Sequence, residues 1–334
     1  MTERVSVIIP NWNGARFLPT CLDSLRRQTF RDFVAYVIDN GSGDESLALL
    51  ARDFPEAVVV AIPENRGFSA AINAGVVASR GEYVAALNND TECDARWLEE
   101  LVRALELHPE AGFFASKVLS FDDRQVIDSF GDGYTRVGLA FKIGSLERDD
   151  GRFDQMLEVF SACAAASIYR RAMLDDIGGF DEDFFCYMED MDLGLRARLA
   201  GYRCLAVPAA KVFHIGAASS GGGPSEFSVR MTTKNLYNVM LKNLPLSLLA
   251  LMLPLTLAAQ AWLVIRALVR PTGSKLRPHL SGYWRGLGEA ARQAPAMIRK
   301  RRALRAMRRI APSKLAEMIR LSERQRRLVV PKMG

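Results

Sequence analysis

Two amides, two carboxylates and a hydroxyl follow one another in Leu87-Asn88-Asn89-Asp90-Thr91-Glu92. They come directly after the apolar run Tyr83-Val84-Ala85-Ala86-Leu87, which predicts a buried strand. In an open α/β sheet, ligands bind just beyond the carboxyl ends of parallel strands. The stretch is therefore either a polar turn or part of a binding site, and the sequence on both sides of it bears on that choice.

Strand and helix patterns alternate through the first 110 residues. Amphipathic segments predict helices between strands that apolar runs predict at residues 5–9, 34–38, 58–62 and 83–87. This alternation is typical of a doubly wound α/β fold with a parallel sheet. Three of the strands are followed by polar residues, at Asn11, Asp39 and Asp90. We expect all three to line one crevice, although Asp39-Asn40-Gly41-Ser42 is also a good turn by itself.

Aromatic and acidic residues crowd together between Phe180 and Arg196. A helical spacing of apolar side chains predicts a buried stripe here, made of Met188, Met191, Leu195 and Leu199. The acids allow two interpretations. In the first, they favour a helix start through the dipole, and Asp192 pairs with Arg196 four residues on. In the second, apolar side chains around Glu189 and Asp190 raise the pKa of a carboxyl group, so that its carboxylate can act as a base.

Less regular sequence lies on either side of this acidic segment. Residues 122–154 are rich in glycine and aspartate, and they predict an excursion or hairpin that frames an acceptor. An apolar run at 207–212 predicts a strand that leads to His214. A single histidine after an apolar run is either structural or a ligand. The glycine-rich residues 217–223 behind it favour a ligand, because such loops close over phosphates.

The charge of the chain is divided unevenly. Its 334 residues are 49% hydrophobic and 25% charged, as in a globular protein, and the formal net charge is +6. Residues 270–334 carry 18 basic and 3 acidic side chains, whereas residues 1–269 carry a net charge of −9. A basic tail of this kind predicts contact with an anionic surface, either membrane or nucleic acid. The five scattered cysteines predict reduced thiols, with neither a zinc site nor a disulfide framework.

An uncharged segment of 23 residues, 243–265, precedes this tail. It is long enough to cross a bilayer, which needs about 20 apolar residues, but Pro245, Pro254 and Gln260 also allow a hairpin of two short helices. A single crossing would put the basic tail outside the cytoplasm, against the positive-inside tendency. We therefore expect a monotopic or re-entrant association with an anionic membrane surface, and no nucleic-acid partner. The apolar run near Met1 is too short for a signal peptide, which predicts a cytoplasmic domain.

Five motifs occur in sequence between residues 5 and 214. They are Val5-Ser6-Val7-Ile8-Ile9-Pro10-Asn11-Trp12-Asn13-Gly14, Asp39-Asn40-Gly41-Ser42, Asn65-Arg66-Gly67-Phe68 with Asn73-Ala74-Gly75, Leu87-Asn88-Asn89-Asp90-Thr91, and Phe180-Asp181-Glu182 with Glu189-Asp190-Met191-Asp192-Leu193. This succession resembles the family 2 glycosyltransferases, and more narrowly the rhamnosyltransferase-like branch that builds bacterial surface polysaccharides. The resemblance implies a GT-A fold, which is an α/β nucleotide-binding fold with a mostly parallel central sheet. We expect a catalytic domain over residues 1–230 and a membrane-associating helical appendage over residues 231–334.

The resemblance also implies roles for individual residues. The nucleotide sugar would be bound by Pro10, Asn11, Asn13, Asp39, Asn65, Arg66, Gly67, Asn73, Asn88 and Asn89. A divalent cation, Mg²⁺ or Mn²⁺, would be held by Asp90 and His214. Asn88-Asn89-Asp90 stands where the family has its Asp-x-Asp motif, so amide and diphosphate oxygens would complete the octahedron. Glu92 would either help to hold the metal or begin the next helix.

By the same resemblance, Asp190, next to Glu189, would be the general base of an inverting transfer. The expected protein is a glycosyltransferase that moves a sugar, with rhamnose from a dTDP donor as the expected one, onto a lipid-linked saccharide. It would work at the cytoplasmic face of the cell membrane. Two alternatives stay open: a nucleotidyltransferase, and a non-catalytic protein that binds nucleotide sugars at the membrane.

Overall fold

The apolar runs near the N-terminus form parallel strands in the computed structural model, which describes residues 3–216, 225–269 and 276–329. In chain order they are β1 (Val5–Asn11), β2 (Phe33–Asn40), β3 (Val58–Ile62) and β4 (Tyr83–Leu87). β1 lies between β2 and β4, and β3 forms the edge of the sheet beyond β2. β1 and β2 run in parallel with Asn11 opposite Asp39, so these two polar residues lie side by side at the same edge of the sheet.

Helices cover both faces of this sheet, as a parallel sheet requires. In chain order they are α1 (Leu18–Arg26), α2 (Ser46–Asp53), α3 (Gly67–Ala78) and α4 (Trp97–Leu107). Successive side chains of β1 point to opposite faces. Val7 therefore packs in a core cluster with Trp97 of α4, while Ile8 packs in the opposite cluster with Ile72 of α3.

The second half of the chain extends the sheet beyond β4. Its strands are β5 (Thr91–Cys93), β6 (Ala111–Ser120), β7 (Ile127–Ser129), β8 (Asp132–Tyr134), β9 (Ala140–Lys142), β10 (Leu157–Val159), β11 (Ala166–Arg170) and β12 (Arg203–His214). β11 inserts antiparallel between β4 and β6, and β6 pairs in parallel with β12. β8 and β9 form a separate small sheet. The expected α/β fold with a mostly parallel central sheet is confirmed.

Two further helices lie among these strands, α5 (Arg171–Ile177) and α6 (Glu189–Leu199). The stripe predicted along α6 is buried, which confirms the helical interpretation of Met188, Met191, Leu195 and Leu199. The predicted pair inside α6 is also present, since Arg196 Nε lies 3.0 Å from Asp192 Oδ2. The small residues just before β11 are not part of the strand, because Ser161 and Ala164 donate their backbone N–H groups to Asp132 O and Asp190 Oδ2.

Four helices follow the sheet: α7 (Glu226–Asn243), α8 (Leu246–Val269), α9 (Leu276–Ala303) and α10 (Pro312–Val329). α7 and α9 pack closely, because Gly282 and Gly286 of α9 leave room for the backbone of α7 at Glu226 and Arg230. The expected boundary between the catalytic domain and the helical appendage, at residue 230, falls inside α7. The glycine-rich residues 217–223, expected to close over phosphates, lie outside the described residues.

The apolar segment forms one continuous helix, α8, with Pro254 inside it, and not a hairpin of two short helices. Its composition explains this, since leucine and alanine favour helix throughout and no glycine interrupts the run. Within the described ranges, α8 is the one helix long and apolar enough to cross a membrane. Only 22% of the residues in its most apolar stretch are buried. Several of its large side chains are exposed, including Leu251, Leu255 and Trp262.

Candidate active site

Three strand ends bring Asn11, Asp39 and Asn89 into one hydrogen-bonded row. Asn11 Nδ2 donates to Asp39 Oδ1 at 3.1 Å, and Asn89 Nδ2 donates to Asn11 Oδ1 at 2.7 Å. Asn11 and Asp39 are almost fully buried. Asn11, Asp39 and Asp90 were predicted to line one crevice because parallel strands end at one edge. The structure joins Asn11 and Asp39, with Asn89 as the third member of the row, whereas Asp90 contacts His214.

The loops after β1 and β2 are tied to each other above this row. Asn13 donates its backbone N–H to Ser42 Oγ at 2.9 Å, and its side-chain Oδ1 accepts from the N–H of Gly43 at 2.8 Å. Pro10 precedes Asn11 in β1 and is half-buried. Gly14 has no space for a side chain, since a Cβ there would lie 2.1 Å from Asn89 Nδ2.

A second polar group surrounds the N-terminus of α3. The amide of Asn40 accepts from the backbone N–H of Arg66 at 3.0 Å and donates to Gly67 O at 3.1 Å. Asn65 Oδ1 accepts from the N–H of Gly67 at 2.9 Å, so the side chain of Asn65 supports the turn. The guanidinium of Arg66 is exposed and lies 2.9 Å from Glu182 Oε2. Arg66 is therefore the cation of this group that remains accessible to a ligand.

Asn73 lies further along α3, away from the row of strand ends. Its Nδ2 donates to Phe180 O at 2.7 Å, and its Oδ1 accepts from the N–H of Phe180 at 2.9 Å. Both halves of the amide are thus engaged with one backbone residue. Asn73 therefore connects the acidic segment to α3 through these two hydrogen bonds.

Asp90 and His214 lie side by side at the end of the sheet. β5 pairs with β12 so that Thr91 faces His214, and Asp90 Oδ1 is 3.2 Å from His214 Nε2. The other ring nitrogen, Nδ1, is 3.0 Å from Asp128 Oδ2. Burial alone would lower the pKa of His214, but the hydrogen bonds to Asp128 and Asp90 raise this pKa to about 9. Asn88 Nδ2 completes the group, 3.5 Å from Nε2.

The donor set around Asp90 fits a divalent cation. A carboxylate oxygen and an imidazole nitrogen 3.2 Å apart match neighbouring ligands of an octahedral ion, which lie about 3 Å from each other. Asp128 fixes the ring through Nδ1 and leaves Nε2 to the ion once its proton is displaced. Glu92 does not join them, because Arg124 holds its carboxylate at 2.6 Å.

Glu189 and Asp190 begin α6, and Ala164 and Ala165 connect them to the strand end, since Ala165 O accepts the N–H of Asn88 at 2.9 Å. Asp190 is half-buried, and its Oδ1 accepts the N–H of Met191 at 2.7 Å. Its Oδ2 accepts the N–H of Ala164 at 3.4 Å. Burial raises the pKa of Asp190. The pKa of Glu189 is raised well above its usual value by burial and then by Asp190, and Glu189 Oε2 has no hydrogen-bond partner among the described residues.

Asp132 is a third carboxylate of this group, and sequence reasoning missed it. Oxygens of Asp132 and Asp190 and the sulfur of Cys163 lie within 4.8 Å of one another. Burial and then Asp190 raise the pKa of Asp132 well above its usual value, and burial likewise keeps the Cys163 thiol protonated by raising its pKa. A protonated carboxyl beside Asp190 is thus compatible with a charged Asp190.

Asp192, in contrast, has a structural role. It is fully buried and accepts from Arg196 Nε at 3.0 Å, Lys242 Nζ at 2.8 Å and Asn243 Nδ2 at 2.8 Å. Burial would raise its pKa, but Lys242 and Arg196 together lower it below the usual value. All its acceptor capacity is directed to α6 and α7.

Comparison with known proteins points to one family. The family model described as glycosyl transferase family 2 matches residues 6–178, slightly more than half of the chain. The chain is 30% identical over 228 residues to the O-antigen biosynthesis protein RfbC of Myxococcus xanthus, a match that covers 65% of this chain and 18% of RfbC. The chain thus spans less than a fifth of that relative.

A second relative is closer in length. The N-acetylglucosaminyl-diphospho-decaprenol L-rhamnosyltransferase of Mycobacterium tuberculosis is 26% identical over 248 residues, which cover 67% of this chain and 80% of that protein. The fold is similar to that of GalNAc-T7 in its structure with UDP, GalNAc and Mn²⁺, with a TM-score of 0.58 and 17% identity over 72% of this chain and 48% of that one. At this identity the likeness concerns the fold alone.

Proposed function

Because the chain belongs to glycosyl transferase family 2, we propose that it transfers a sugar from a nucleoside diphosphate to a lipid-linked saccharide, in the synthesis of a bacterial surface polysaccharide. The observation that carries the proposal is that two neighbouring residues join Asp190 to the strand end at Asp90. Ala164 donates its N–H to Asp190 Oδ2 at 3.4 Å, and Ala165 O accepts the N–H of Asn88 at 2.9 Å, beside the Asp90–His214 group. Family membership also favours this activity over the nucleotidyltransferase and the non-catalytic protein.

The row of strand ends is suited to bind the donor nucleotide. Asp39 and Asn11 offer carboxylate and amide groups for the hydroxyls and amides of a nucleoside. Arg66 offers an exposed guanidinium for the diphosphate. The UDP in the GalNAc-T7 structure supports a nucleotide donor for the shared fold.

Asp90, His214 and Asn88 would hold the divalent cation that the fold family uses. Bound there, the cation would neutralise charge on the departing diphosphate. Asp128 keeps the imidazole of His214 oriented with Nε2 toward Asp90. The Mn²⁺ of the GalNAc-T7 structure supports a divalent cation, without choosing between Mg²⁺ and Mn²⁺.

Asp190 would act as the general base. Its carboxylate removes the proton from the acceptor hydroxyl, whose oxygen then attacks the anomeric carbon from the side opposite the diphosphate, so the configuration inverts. Burial raises the pKa of Asp190 and so makes the carboxylate a better proton acceptor. Backbone N–H groups of Met191 and Ala164 hold its two oxygens in place.

The donor sugar and the acceptor follow from the relatives. The mycobacterial relative is named for rhamnose transfer to a decaprenol-linked sugar, which supports rhamnose and a lipid-linked acceptor here. The exposed apolar helix α8 supports association with the cytoplasmic face of the membrane where such an acceptor lies. On this basis, the catalytic domain expected at residues 1–230 continues to the end of α7, whose Lys242 and Asn243 contact Asp192, and the membrane-associating appendage follows from α8.

The test is a donor panel with the Asp190→Asn variant. Full-length protein is given dTDP-rhamnose, UDP-sugars and GDP-sugars, with Mg²⁺ or Mn²⁺ and a polyprenyl-diphosphate-linked sugar, and release of nucleoside diphosphate is measured. We expect one donor to react, and Asp190→Asn to lower kcat by about 100- to 10,000-fold. Asp175→Asn, an exposed acid of α5, is the control. No turnover with any donor would contradict the proposed function, and unaltered turnover in Asp190→Asn would remove Asp190 as the base.

A further inference from the structure

The backbone just before Glu189 has an unusual conformation. Phe185, Tyr187 and Met188 have φ values of 66°, 66° and 65°, so three of the five non-glycine residues with positive φ in the described part of the chain lie within four positions. Phe185 also has ψ −69°, and the N–H of Cys186 donates to Phe184 O at 2.8 Å. This is a γ-turn with positive φ at its centre, a rare and strained conformation.

Strain of this kind persists only where surrounding groups hold the backbone in place. One such group is Asn235, which is fully buried on α7. Its Nδ2 donates to the carbonyl oxygens of Phe184, Cys186 and Tyr187 at 2.9, 3.0 and 2.7 Å. Carbonyl oxygens need a donor, so these contacts fix the NH₂ end of the amide toward the turn, with its two hydrogens shared among the three acceptors.

Two more contacts enclose the same segment. Lys234, next to Asn235, donates from Nζ to Asp183 O at 2.9 Å. On the opposite side, the N–H of Ser69 at the start of α3 donates to Phe185 O at 3.3 Å. Gly67 allows this close approach, since a Cβ there would lie 2.5 Å from the same oxygen. The segment is therefore held between α7 and the start of α3. The start of α3 lies beside Arg66, which is proposed to bind the diphosphate of the sugar donor.

The start of α6 depends on this turn. Met188 occupies the N-cap position with φ 65° and ψ 5°, and its side chain makes no capping hydrogen bond. Residues that usually cap a helix supply that bond themselves. The direction in which α6 leaves the turn, and with it the position of Asp190, is consequently set from outside the helix.

We propose that Asn235 is a positioning residue for sugar transfer. Its amide holds the strained turn at Phe184–Met188 and thereby aims the carboxylate of Asp190 into the crevice. This inference rests on the proposed function of Asp190 as base. It makes α7, which lies beyond the matched family region at residues 6–178, a working part of the active site.

The experiment compares Asn235→Ala and Asn235→Leu with Asn238→Ala. Leu has the same branched side-chain shape as Asn and has no hydrogen-bond donor in any protonation state, so it serves if the Ala variant does not fold. Asn238 is the matched control, because it is equally buried on α7 but donates to Gln293 Oε1 of α9 at 2.6 Å. Each variant is measured for kcat, for the donor KM, and for hydrogen–deuterium exchange of the peptide covering residues 184–190.

For both Asn235 variants we expect kcat to fall about 100-fold with the donor KM within about threefold, because the base is misplaced while the donor row is intact. Exchange over residues 184–190 should rise at least about tenfold. Asn238→Ala should lose thermal stability but keep kcat within about threefold. A wild-type kcat in both Asn235 variants, or unchanged exchange, would overturn the inference. A wild-type protein that turns over no donor would instead contradict the proposed function, while exchange still decides whether Asn235 holds the turn.

Discussion

His214 joins three parts of the chain that are far apart in sequence. Its two ring nitrogens face carboxylates on opposite sides, with Nε2 3.2 Å from Asp90 and Nδ1 3.0 Å from Asp128. Both carboxylates favour the protonated ring, and this outweighs the effect of burial on the pKa. A proton and the proposed cation would therefore compete for Nε2.

In protein kept free of metal with EDTA, we expect stability to fall as the pH rises from about 6 to about 9.5. The pKa of His214 is about 9 in the folded protein and about 6.5 in the unfolded chain. The extra stability is therefore complete below pH 6.5 and is lost as the pH passes through 9. The loss is about 2 to 3 kcal/mol. Urea unfolding at several pH values measures it, and His214→Gln should flatten the curve.

Asp128 does not complicate this measurement, because His214 and Lys142 lower its pKa to about 2 against the effect of burial. His108→Gln is the control, since His108 lies after α4, away from Asp90 and Asp128. It should keep the wild-type slope. If His214→Gln showed the same fall as the wild type, the assignment of the proton to His214 would be wrong.

Part of the site was visible in the sequence because it depends on local patterns. Asn11, Asp39 and Asp90 each follow an apolar run, and strand ends meet wherever such runs pair in parallel. Asp128 and Asp132 carry no comparable signal. They belong to β7 and β8, which are three residues long, and only tertiary packing brings them to His214 and Asp190.

At the scale of elements, α3 and β1 are in unusually close contact. A Cβ on Gly75 would lie 2.3 Å from Ile8 Cγ2, and Ile8 is fully buried, so neither side has room to yield. α3 also carries Gly67 and Asn73, which contact the acidic segment. The distance between α3 and the sheet therefore affects the crevice.

We expect Gly75→Ala to destabilise the fold by about 1 to 3 kcal/mol through overpacking, even though alanine favours helix over glycine by about 1 kcal/mol. Urea unfolding gives the free energy. Gly43→Ala is the control, because no atom lies within 4 Å of a Cβ there. A Gly75→Ala protein as stable as the wild type would mean that α3 can move away from β1 at little cost.

The elements that sequence patterns failed to describe depend on long-range pairing. β11 lies between β4 and β6 and runs antiparallel to both. An apolar run alone does not indicate the direction of a strand. The apolar segment 243–265 was open to two interpretations, because its prolines allow a break without requiring one. In the structure α8 continues through Pro254.

At the scale of the whole molecule, the basic tail partly neutralises the acidic half. Lys300 of α9 lies 2.7 Å from Asp183, and Arg309 lies 2.7 Å from Asp176. Lys300 also contacts Asp181 at 2.5 Å. Some of the positive charge is thus used inside the molecule, and the tail offers fewer side chains to lipid than its composition predicts.

Apolar contact should therefore contribute strongly to membrane binding. We expect Leu251→Ser, Leu255→Ser and Trp262→Ser together to lower binding to phosphatidylglycerol vesicles by at least about 100-fold, because these side chains are 63%, 45% and 56% exposed on α8. Vesicle flotation measures the bound fraction. Leu146→Ser is the control, since Leu146 is 87% exposed but lies far from α8 in sequence. Equal flotation of the triple variant and the wild type would contradict membrane association through α8.

The nascent chain acquires the two halves of the crevice at different times. β1 to β4 are synthesised first, but the core clusters on their two faces include residues as late as Ala206 and Val212, so this half of the crevice is packed once β12 has emerged. Asn235 emerges after β12, almost 150 residues after Leu87. Until then, the strained turn before Asp190 lacks its hydrogen-bond donor on α7. A chain that ended just before α7 would contain all the residues of the strand-end row and the Asp90–His214 group, but not the donor that holds the turn before Asp190.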